Sequence, residues 1–248
     1  METKATLKVM SYNIHKGFAK KKLSIQSIKN EILNNDPDIV FLQEVQGENK
    51  KHEVHKKYKQ NWPLLSQHDF LGEDVWMNRI YGKNAVYEHG HHGNAILSKY
   101  PILNSFNYNV STSKLEQRGI LHVVIDLPYR KEHLHVFCVH LSLNGKGRIW
   151  QLKELKKIIE NNVPAECPVI IGGDFNDWFN YAKKYLIKGT ELVEVFKQCN
   201  VCSRSFPSKF PLLSLDRFYV RGLNIVSGSV LRGLEHLSDH SPIMAILR

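Results

Sequence analysis

Short apolar runs of strand length recur along this chain, and several of them adjoin a cluster of carboxylate, amide or imidazole side chains. The run 169–171 leads directly into Gly172-Gly173-Asp174-Phe175-Asn176-Asp177, and Ser238-Asp239-His240 stands just before the apolar run 243–247. Side chains at the ends of strands lie at the edge of a sheet, where a rigid scaffold holds them in place. The pattern therefore predicts a sheet-based fold with polar groups gathered at one edge.

The spacing of apolar residues predicts many strands and a few helices. Alternating or continuous apolar runs predict strands near 7–13, 39–42, 84–88, 94–98, 102–110, 119–127, 133–141, 168–172, 215–221, 223–230 and 241–247. Helical spacing predicts helices over 25–34 with Ser24 as N-cap, over 147–162, and near 178–199. This alternation is typical of an α/β sandwich, in which two packed sheets carry helices outside.

Length and composition predict one domain over residues 1–248. The hydrophobic fraction of 42% and the charged fraction of 23% are ordinary globular values, which excludes an intrinsically disordered chain. A β-rich sandwich of 248 residues commonly folds as a single unit, and the chain contains neither a linker-like segment nor a repeat of fixed period. We also expect a monomer.

The net charge of +10 is concentrated toward the two ends of the chain. Residues 1–60 carry 12 Lys and Arg against 7 Asp and Glu, and residues 178–248 carry 10 against 5. A basic face attracts nucleic acid, phosphoinositides or an anionic membrane surface. Charge alone equally fits a basic protein without such a partner.

The N-terminus and the cysteines indicate the cellular compartment. The chain begins with an acidic residue and lacks a basic segment followed by an apolar one, so we predict no classical signal peptide. No apolar run approaches the roughly 18 residues of a membrane-spanning helix. Cys199 and Cys202 form a lone CxxC without the second ligand pair of a zinc site, and we expect reduced cysteines. We predict a cytoplasmic protein, with peripheral membrane contact as an addition.

Residues 46–84 combine a basic stretch with an aromatic one. The basic stretch is 50–57, and the aromatic side chains are Trp62, Phe70, Trp76 and Tyr81. A partly helical excursion beside the polar edge fits this composition. The aromatic rings are interpreted as core, and the alternative is that they contact a lipid surface or nucleotide bases.

Oxygen ligands are prominent among the polar clusters. Glu44, Asp174 and Asp239, together with the amides of Asn13 and Asn176, match the oxygen donors that Mg²⁺ and Mn²⁺ prefer. Each has a structural alternative: Glu44 as a helix cap, and Asp174 with Asn176 as groups that stabilise their own turn. The recurrence of these residues at strand ends favours a functional site.

Two histidines at strand ends are candidates for acid–base chemistry. His140 follows an apolar run, and His240 directly follows Asp239. An imidazole titrates near neutral pH, which suits proton transfer. Asp216 is a candidate partner for His240, because a carboxylate that accepts a hydrogen bond from an imidazole fixes its tautomer and raises its basicity.

The ordered set of motifs resembles the endonuclease/exonuclease/phosphatase superfamily, which includes deoxyribonuclease I, exonuclease III, neutral sphingomyelinases and inositol polyphosphate 5-phosphatases. The motifs are Asn13 in Tyr-Asn-Ile-His, Gln43-Glu44, Gly93-Asn94, Val139-His140-Leu141, Gly173-Asp174-Phe175-Asn176, Leu215-Asp216-Arg217 and Ser238-Asp239-His240. The stretches 13–18, 88–95 and 210–217 resemble the bacterial YbhP-type branch. The resemblance implies a four-layer α/β/β/α sandwich of two mixed, mainly antiparallel sheets with outer helices.

The resemblance also implies roles for the matched residues. Glu44 would bind Mg²⁺ with Asn13 and Asp239 nearby. Asp174 and Asn176 would position the water and the phosphate. The remaining implied roles are catalytic: Asp216 holds His240, and His140 stabilises the transition state or protonates the leaving oxygen. The choice between Asp174 and His240 as general base stays open.

Three residues are predicted to contact the substrate: His92, Asn94 and Arg118. His92 precedes the matched Gly-Asn pair, and Arg118 is placed to contact a phosphate oxygen or to form a structural ion pair. A metal site formed by His89, His91 and His92 is a further alternative. Apurinic endonucleases of this superfamily usually carry Tyr at the position of His140, so a role in abasic-site repair is disfavoured.

The sequence thus predicts a Mg²⁺-dependent phosphodiesterase acting on nucleic acid or a phospholipid head group, with Mn²⁺ as a substitute ion. Two alternatives remain: an inositol-phosphate phosphomonoesterase, and a non-catalytic anion-binding module on the same fold. The complete set of ligand and histidine residues argues against the second alternative.

Overall fold

A computed structural model describes residues 6–50, 62–63 and 65–248. Two six-stranded sheets are stacked face to face in it, and helices lie on their outer sides. Residues 51–57 of the predicted basic stretch lie outside the described residues. No helix in the described ranges is both long enough and apolar enough to cross a membrane.

Each sheet is built from strands that are distant in sequence. The first sheet, in spatial order, contains β13 (Ile225–Val230), β14 (Ile243–Leu247), β1 (Leu7–Asn13), β4 (Ile39–Asn49), β6 (Gly90–Ser98) and β5 (Asn78–Tyr87). The second contains β11 (Val193–Glu194), β12 (Asp216–Arg221), β10 (Val169–Asp174), β9 (Leu134–His140), β8 (Gly119–Ile125) and β7 (Ile102–Asn109). A short hairpin of β2 (Phe18–Ala19) and β3 (Lys22–Leu23) follows β1.

The helices are α1 (Ile25–Asn35), α2 (Gln67–Gly72), α3 (Gly145–Asn162) and α4 (Val195–Gln198).

Strand pairing is parallel between β1 and β4 and between β9 and β10, and it is antiparallel in the other described pairs of the two sheets. The predicted four-layer α/β/β/α sandwich of mixed, mainly antiparallel sheets is confirmed.

Three apolar layers hold the sandwich together. Between the sheets, the rings of Phe41 and Phe218 meet edge to face at 5.5 Å inside a fully buried cluster. Leu152 and Leu155 of α3 are buried in the layer on the outer face of the second sheet, and α1 contributes Ile28 to the matching layer on the first. Each such side chain contributes about 1.5–3 kcal/mol when it leaves water, so the helices are anchored by burial.

Three local features differ from or refine the prediction. The segment predicted as a helix near 178–199 is interrupted: it contains a π-helical turn at Lys183–Ile187, β11 and the short α4. Ser24 precedes α1, but its hydroxyl donates to the Leu237 carbonyl at 2.7 Å and accepts no hydrogen bond from the first-turn amides of the helix. Trp76 is fully buried and donates to the Pro37 carbonyl, so this ring belongs to the core as interpreted.

Glycine is required where β10 approaches β9 just before Asp174. Gly173 has a φ of +144°, and a Cβ at this position would lie 2.0 Å from the Val139 carbonyl oxygen. A side chain there would push β10 away from β9 and displace the register pair Asp174–His140. Gly173 therefore connects the backbone of the sheet to the geometry at its edge.

We expect Gly173→Ala to lower the free energy of unfolding by about 2–4 kcal/mol, because it combines a disfavoured φ with a backbone clash. Gly145→Ala is the matched control: a Cβ at Gly145, in the first turn of α3, would be no nearer than 3.8 Å to Tyr181. Urea denaturation followed by circular dichroism measures both changes. Equal stability of the two variants would contradict the requirement for glycine at position 173.

Candidate active site

The strand order brings the predicted polar residues to one edge of the sandwich. The parallel pairing of β1 with β4 ends there, with Asn13 opposite Gln43, and the parallel strands β9 and β10 end there with His140 opposite Asp174. The antiparallel strand β12 begins at the same edge, with Asp216 opposite Asp174. Residues that are far apart in sequence therefore meet because of strand direction.

Asp174 lies at the centre of this edge and is 1% exposed. Its Oδ2 accepts a hydrogen bond from Asn13 Nδ2 at 3.1 Å, and its Oδ1 accepts one from the Asn176 backbone amide at 2.9 Å. The Nε2 atoms of His140 and His240 lie 3.5 and 3.7 Å from Oδ2. Burial raises the pKa of the Asp174 carboxyl above its usual value, while the His240 charge opposes that rise.

His240 lies between two carboxylates. Its Nδ1 is 2.8 Å from Asp216 Oδ2, and Ser205 Oγ donates to the same oxygen at 2.5 Å. Burial alone lowers the pKa of an imidazole, but the charges of Asp216 and Asp174 outweigh it and raise the pKa of His240 above its usual value. The arrangement favours an imidazolium with Nδ1–H directed at Asp216 and Nε2–H facing Asp174.

His140 has the opposite charge preference. Burial, followed by the charge of Arg118, holds the pKa of His140 well below its usual value. Arg118 Nη1 lies 3.4 Å from His140 Nδ1, and a guanidinium can only donate, so this contact makes Nδ1 the acceptor. The proton of the neutral ring is then on Nε2, the atom that faces Asp174.

Glu44 lies on a β-bulge in β4, directly after the last residue that pairs with β1. The register moves from Leu42 opposite Ala95 to Val45 opposite Gly93, which leaves two residues against one, and Glu44 has a φ of +54°. A non-glycine residue at positive φ in a strand is typical of a position where the backbone re-aims a side chain.

The donor set at this end of the site fits a hard divalent ion. Within the described ranges, the only polar contact of the Glu44 carboxylate is an ion pair with Lys16 Nζ at 4.0 Å, and this carboxylate is 20% exposed. Asp239 Oδ1 accepts from His15 Nδ1 at 3.1 Å. Asn13 Oδ1 accepts from the His15 amide and retains a second lone pair. Two carboxylates and an amide oxygen are chemically suited to Mg²⁺.

A second group of three residues, distinct from Glu44, Asp239 and Asn13, also has potential metal-ligand atoms that lie near one another. One ligand atom each of Asp174, Asp216 and His240 lies within 4.8 Å of the others. Asp216 Oδ2 in this trio already accepts hydrogen bonds from Ser205 and His240. We interpret the trio as a hydrogen-bonded relay and assign the metal-ligand character to Glu44 and Asp239.

The predicted substrate residues have different surroundings. His92 and Arg118 line a surface cavity of about 480 Å³ next to His140. Asn94 is buried, and its amide donates to the carbonyls of Gly119 at 3.1 Å and Cys138 at 3.3 Å, so it joins the two sheets. Asn176 donates its side-chain amide to the Leu141 carbonyl at 3.0 Å.

The structure does not bring His89, His91 and His92 together as a metal site. Neighbouring residues of a strand point to opposite faces. His91 Nδ1 contacts the Tyr81 hydroxyl at 2.9 Å, whereas His92 lines the cavity beside Arg118. His89 lies next to the exposed Glu88 carboxylate.

Sequence reasoning missed two residues that support the catalytic side chains. Ser205 donates to Asp216, and Glu116 accepts from Arg118 Nη2 at 3.1 Å while also contacting the Ser142 hydroxyl. Ser205 lies in an irregular segment with no motif around it. The only signal for Glu116 was its position two residues before Arg118.

The fold and site together define a class: a deoxyribonuclease I-like sandwich with carboxylates and imidazoles at the edge where the parallel strands end. The chain belongs to the endonuclease/exonuclease/phosphatase family, whose model matches residues 10–240. The uncharacterized protein YbhP of Escherichia coli (strain K12) is 41% identical over 245 residues, which are 97% of this chain and 95% of that protein. The resemblance inferred from the motifs is confirmed.

Solved structures share the fold at lower sequence identity. The endonuclease/exonuclease/phosphatase protein of Beutenbergia cavernae DSM 12333 superposes with a TM-score of 0.81 and 21% identity over 98% of this chain and 71% of that chain. The mannosyl-6-phosphatase Bt3783 of Bacteroides thetaiotaomicron VPI-5482 has a TM-score of 0.74 and 17% identity over 98% of this chain and 99% of that chain. Members of the family are generally phosphoesterases or nucleases and generally use a divalent metal ion.

We expect Asp216→Asn to lower the pKa of His240 toward the value of about 6.5 that an unperturbed imidazole has, because a neutral amide removes the adjacent negative charge. Asp126→Asn is the matched control, since Asp126 Oδ1 lies 3.7 Å from Nδ1 of the half-exposed His133, away from the site. Titration of the imidazole resonances by NMR measures both values. An unchanged pKa of His240 in Asp216→Asn would rule out the relay as its cause.

Proposed function

We propose that this chain is a Mg²⁺-dependent phosphodiesterase that hydrolyses P–O bonds of nucleic acid or of a phospholipid head group, with Mn²⁺ as a substitute ion. The observation that carries the proposal is the buried Asp174 carboxylate held between the Nε2 atoms of His140 and His240, with Asp216 behind His240. Such a group of one carboxylate and two imidazoles of opposite charge preference suits a reaction that moves protons around a phosphoryl group.

Glu44, Asp239 and Asn13 would hold the Mg²⁺ ion, because the first two are partly exposed carboxylates and Asn13 Oδ1 keeps a free lone pair. When bound, Mg²⁺ supplies Lewis-acid polarisation of a phosphoryl oxygen. Lys16, whose ammonium lies 4.0 Å from Glu44, adds a positive charge at the same position.

Asp174 is assigned as the general base. Its pKa is raised by burial, so its carboxylate is a stronger base than an exposed one and accepts a proton from the attacking water. His240 is already protonated at neutral pH, and an imidazolium cannot accept a further proton. His240 therefore donates from Nε2 toward the phosphoryl oxygens, and Asp216 and Ser205 orient it.

His140 is assigned to the leaving side of the reaction. Its Nε2–H faces the space beside Asp174, where it donates to a leaving or phosphoryl oxygen as negative charge develops. Asn176 follows Asp174 in the loop after β10, and its backbone amide holds the Asp174 carboxylate. Arg118 and His92 line the adjacent cavity, where a second ester substituent of a diester would lie.

A phosphomonoesterase acting on an inositol or sugar phosphate is the second candidate. The observation that favours it is the shared fold with the mannosyl-6-phosphatase of Bacteroides thetaiotaomicron. The groups assigned to Mg²⁺, to water and to the leaving oxygen serve a monoester equally well. The two candidates differ in whether the cavity beside Arg118 holds a second ester substituent, which only a diester has.

Activity assays on matched variants test the assignment. We expect Glu44→Gln and Asp174→Asn each to lower kcat/KM by roughly 10²–10⁴-fold, as expected for loss of a metal ligand or a general base. Glu48→Gln is the control, because Glu48 is an exposed carboxylate four residues along the same strand. EDTA should abolish activity, and added Mg²⁺ or Mn²⁺ should restore it.

The substrates for this assay are plasmid DNA, RNA, phosphatidylglycerol or cardiolipin vesicles, and inositol phosphates, measured side by side with Mg²⁺. Hydrolysis of a diester supports the first candidate, and exclusive hydrolysis of monoesters supports the second. A decline in activity with rising salt indicates a nucleic-acid substrate, because each phosphate contact releases counterions. Absence of hydrolysis of every substrate would refute the proposed enzyme.

The role of Arg118 has a separate signature. We expect Arg118→Lys to raise KM for a diester about tenfold, because lysine cannot reproduce the planar fork that contacts Glu116 and His140 together. Arg232→Lys, at an exposed position, is the control and should leave KM unchanged. Steady-state kinetics on a soluble diester measure both, and an unchanged KM in Arg118→Lys would contradict a substrate-binding role.

A further inference from the structure

Large apolar side chains stand exposed on the loops around the active site. The set, named here the apolar rim, consists of Leu115, Leu143, Trp178, Phe179, Phe210 and Leu212. Leu115 is 100% exposed, and Phe179, Phe210 and Leu212 are 67–68% exposed. Single exposed apolar residues are ordinary, but a group of them on one side of a molecule marks an interaction surface.

The rim residues all belong to loops at the catalytic edge. The loops after β9 and β10 carry Leu143 and the pair Trp178–Phe179, and these strands end at His140 and Asp174. The loops before β8 and β12 carry the other three, and the first residues of these antiparallel strands lie at the same edge. Strand direction therefore places the rim at the end of the second sheet where His140 and Asp174 stand.

Specific contacts fix these loops. The Leu143 backbone amide donates to Glu116 at 2.9 Å, which joins the loops that carry Leu143 and Leu115. The Arg148 guanidinium lies 4.5 Å from the Trp178 ring centre, and the Ser208 amide donates to the Asp239 carbonyl at 2.7 Å. These contacts hold the loops in place, and one of them ties the Ser208 backbone to Asp239.

Basic side chains are interleaved with the rim. Lys114 precedes Leu115, Lys209 precedes Phe210, and Lys183 and Lys184 follow Phe179 in the same loop region. The β2–β3 hairpin after β1 adds 20–22, three consecutive lysines whose turn is formed by two residues with positive φ. Apolar tips surrounded by lysines are complementary to a surface with an apolar interior and an anionic boundary.

We propose that the apolar rim docks the catalytic edge onto an anionic phospholipid bilayer. A lipid surface fits better than nucleic acid because half of the rim residues are leucines, which cannot stack on bases or read their polar edges. Trp and Phe side chains suit the boundary between head groups and acyl chains. Docking in this orientation turns the opening of the site toward the head-group phosphates.

Docking onto a bilayer does not require catalysis. The substrate class that docking implies, however, rests on the proposed function. If the site hydrolyses phosphate esters, docking makes a phospholipid head group the substrate class, because the rim lies at the same end of the second sheet as Asp174 and His140. Binding and hydrolysis are therefore measured separately.

The binding experiment uses the full chain, EDTA to prevent hydrolysis, and vesicles of phosphatidylcholine with or without phosphatidylglycerol. We expect co-sedimentation with the phosphatidylglycerol vesicles only. The double variant Phe179→Ser/Phe210→Ser should weaken that binding at least tenfold, because it removes the two most exposed of the three aromatic rings in the rim. The double variant Leu103→Ser/Val226→Ser is the control: it removes two apolar side chains that are about half exposed on β7 and β13, and it should bind like the wild type.

A second readout reports the contact directly. Trp178 fluorescence should shift to the blue on phosphatidylglycerol vesicles, and Trp178→Phe should remove that shift. Equal vesicle binding by the rim variant and the control variant would overturn the proposal. Single-stranded DNA is measured in parallel. A rim variant that loses DNA binding but keeps vesicle binding would also overturn it.

Hydrolysis of a soluble diester distinguishes the two proposals. Vesicle binding without any phosphoesterase activity would refute the proposed function and retain the docking surface. Diester hydrolysis without vesicle binding by the wild type would refute the docking surface and retain the enzyme.

Discussion

The buried carboxylate of Asp174 is the constraint on which the site depends. A carboxylate that is 1% exposed is costly unless donors surround it. Asn13 supplies one donor from the first sheet, and His140 and the Asn176 amide supply others from the second sheet and its loop. The contact between Asn13 and Asp174 therefore joins the two sheets at the edge where the chemistry is located.

Both imidazoles are buried, which by itself lowers the pKa of each, and their neighbours separate their charge states. His240 is between two carboxylates, which favour its protonated form, whereas His140 is beside Arg118, which favours its neutral form. Two identical side chains within reach of one carboxylate thus have different chemistry because their neighbours differ. Glu116 and Ser205 matter for the same reason: they hold Arg118 and Asp216 in position.

Much of the fold and part of the site were predictable from local patterns. Strands such as β1 and β10 have apolar runs that specify burial, and the helix α3 has helical apolar spacing with Asn144 accepting from the first-turn amides. The helical region predicted near 178–199 is helical only in part, because a short strand that pairs with β12 separates a π-helical turn from α4. Tertiary pairing overrode local helix propensity in that segment.

The sequence alone determined which side chains stand at strand ends, and through their ordered motifs it determined the family, since both are properties of short segments. The tertiary structure decided which of those side chains meet. Asn13 and Asp174 are 161 residues apart in the sequence, yet they form a hydrogen bond. Ser205 donates to Asp216, and no sequence motif around Ser205 predicts that contact. Charge states of buried groups also depend on neighbours from several strands, so they are decided only when the two sheets close around them.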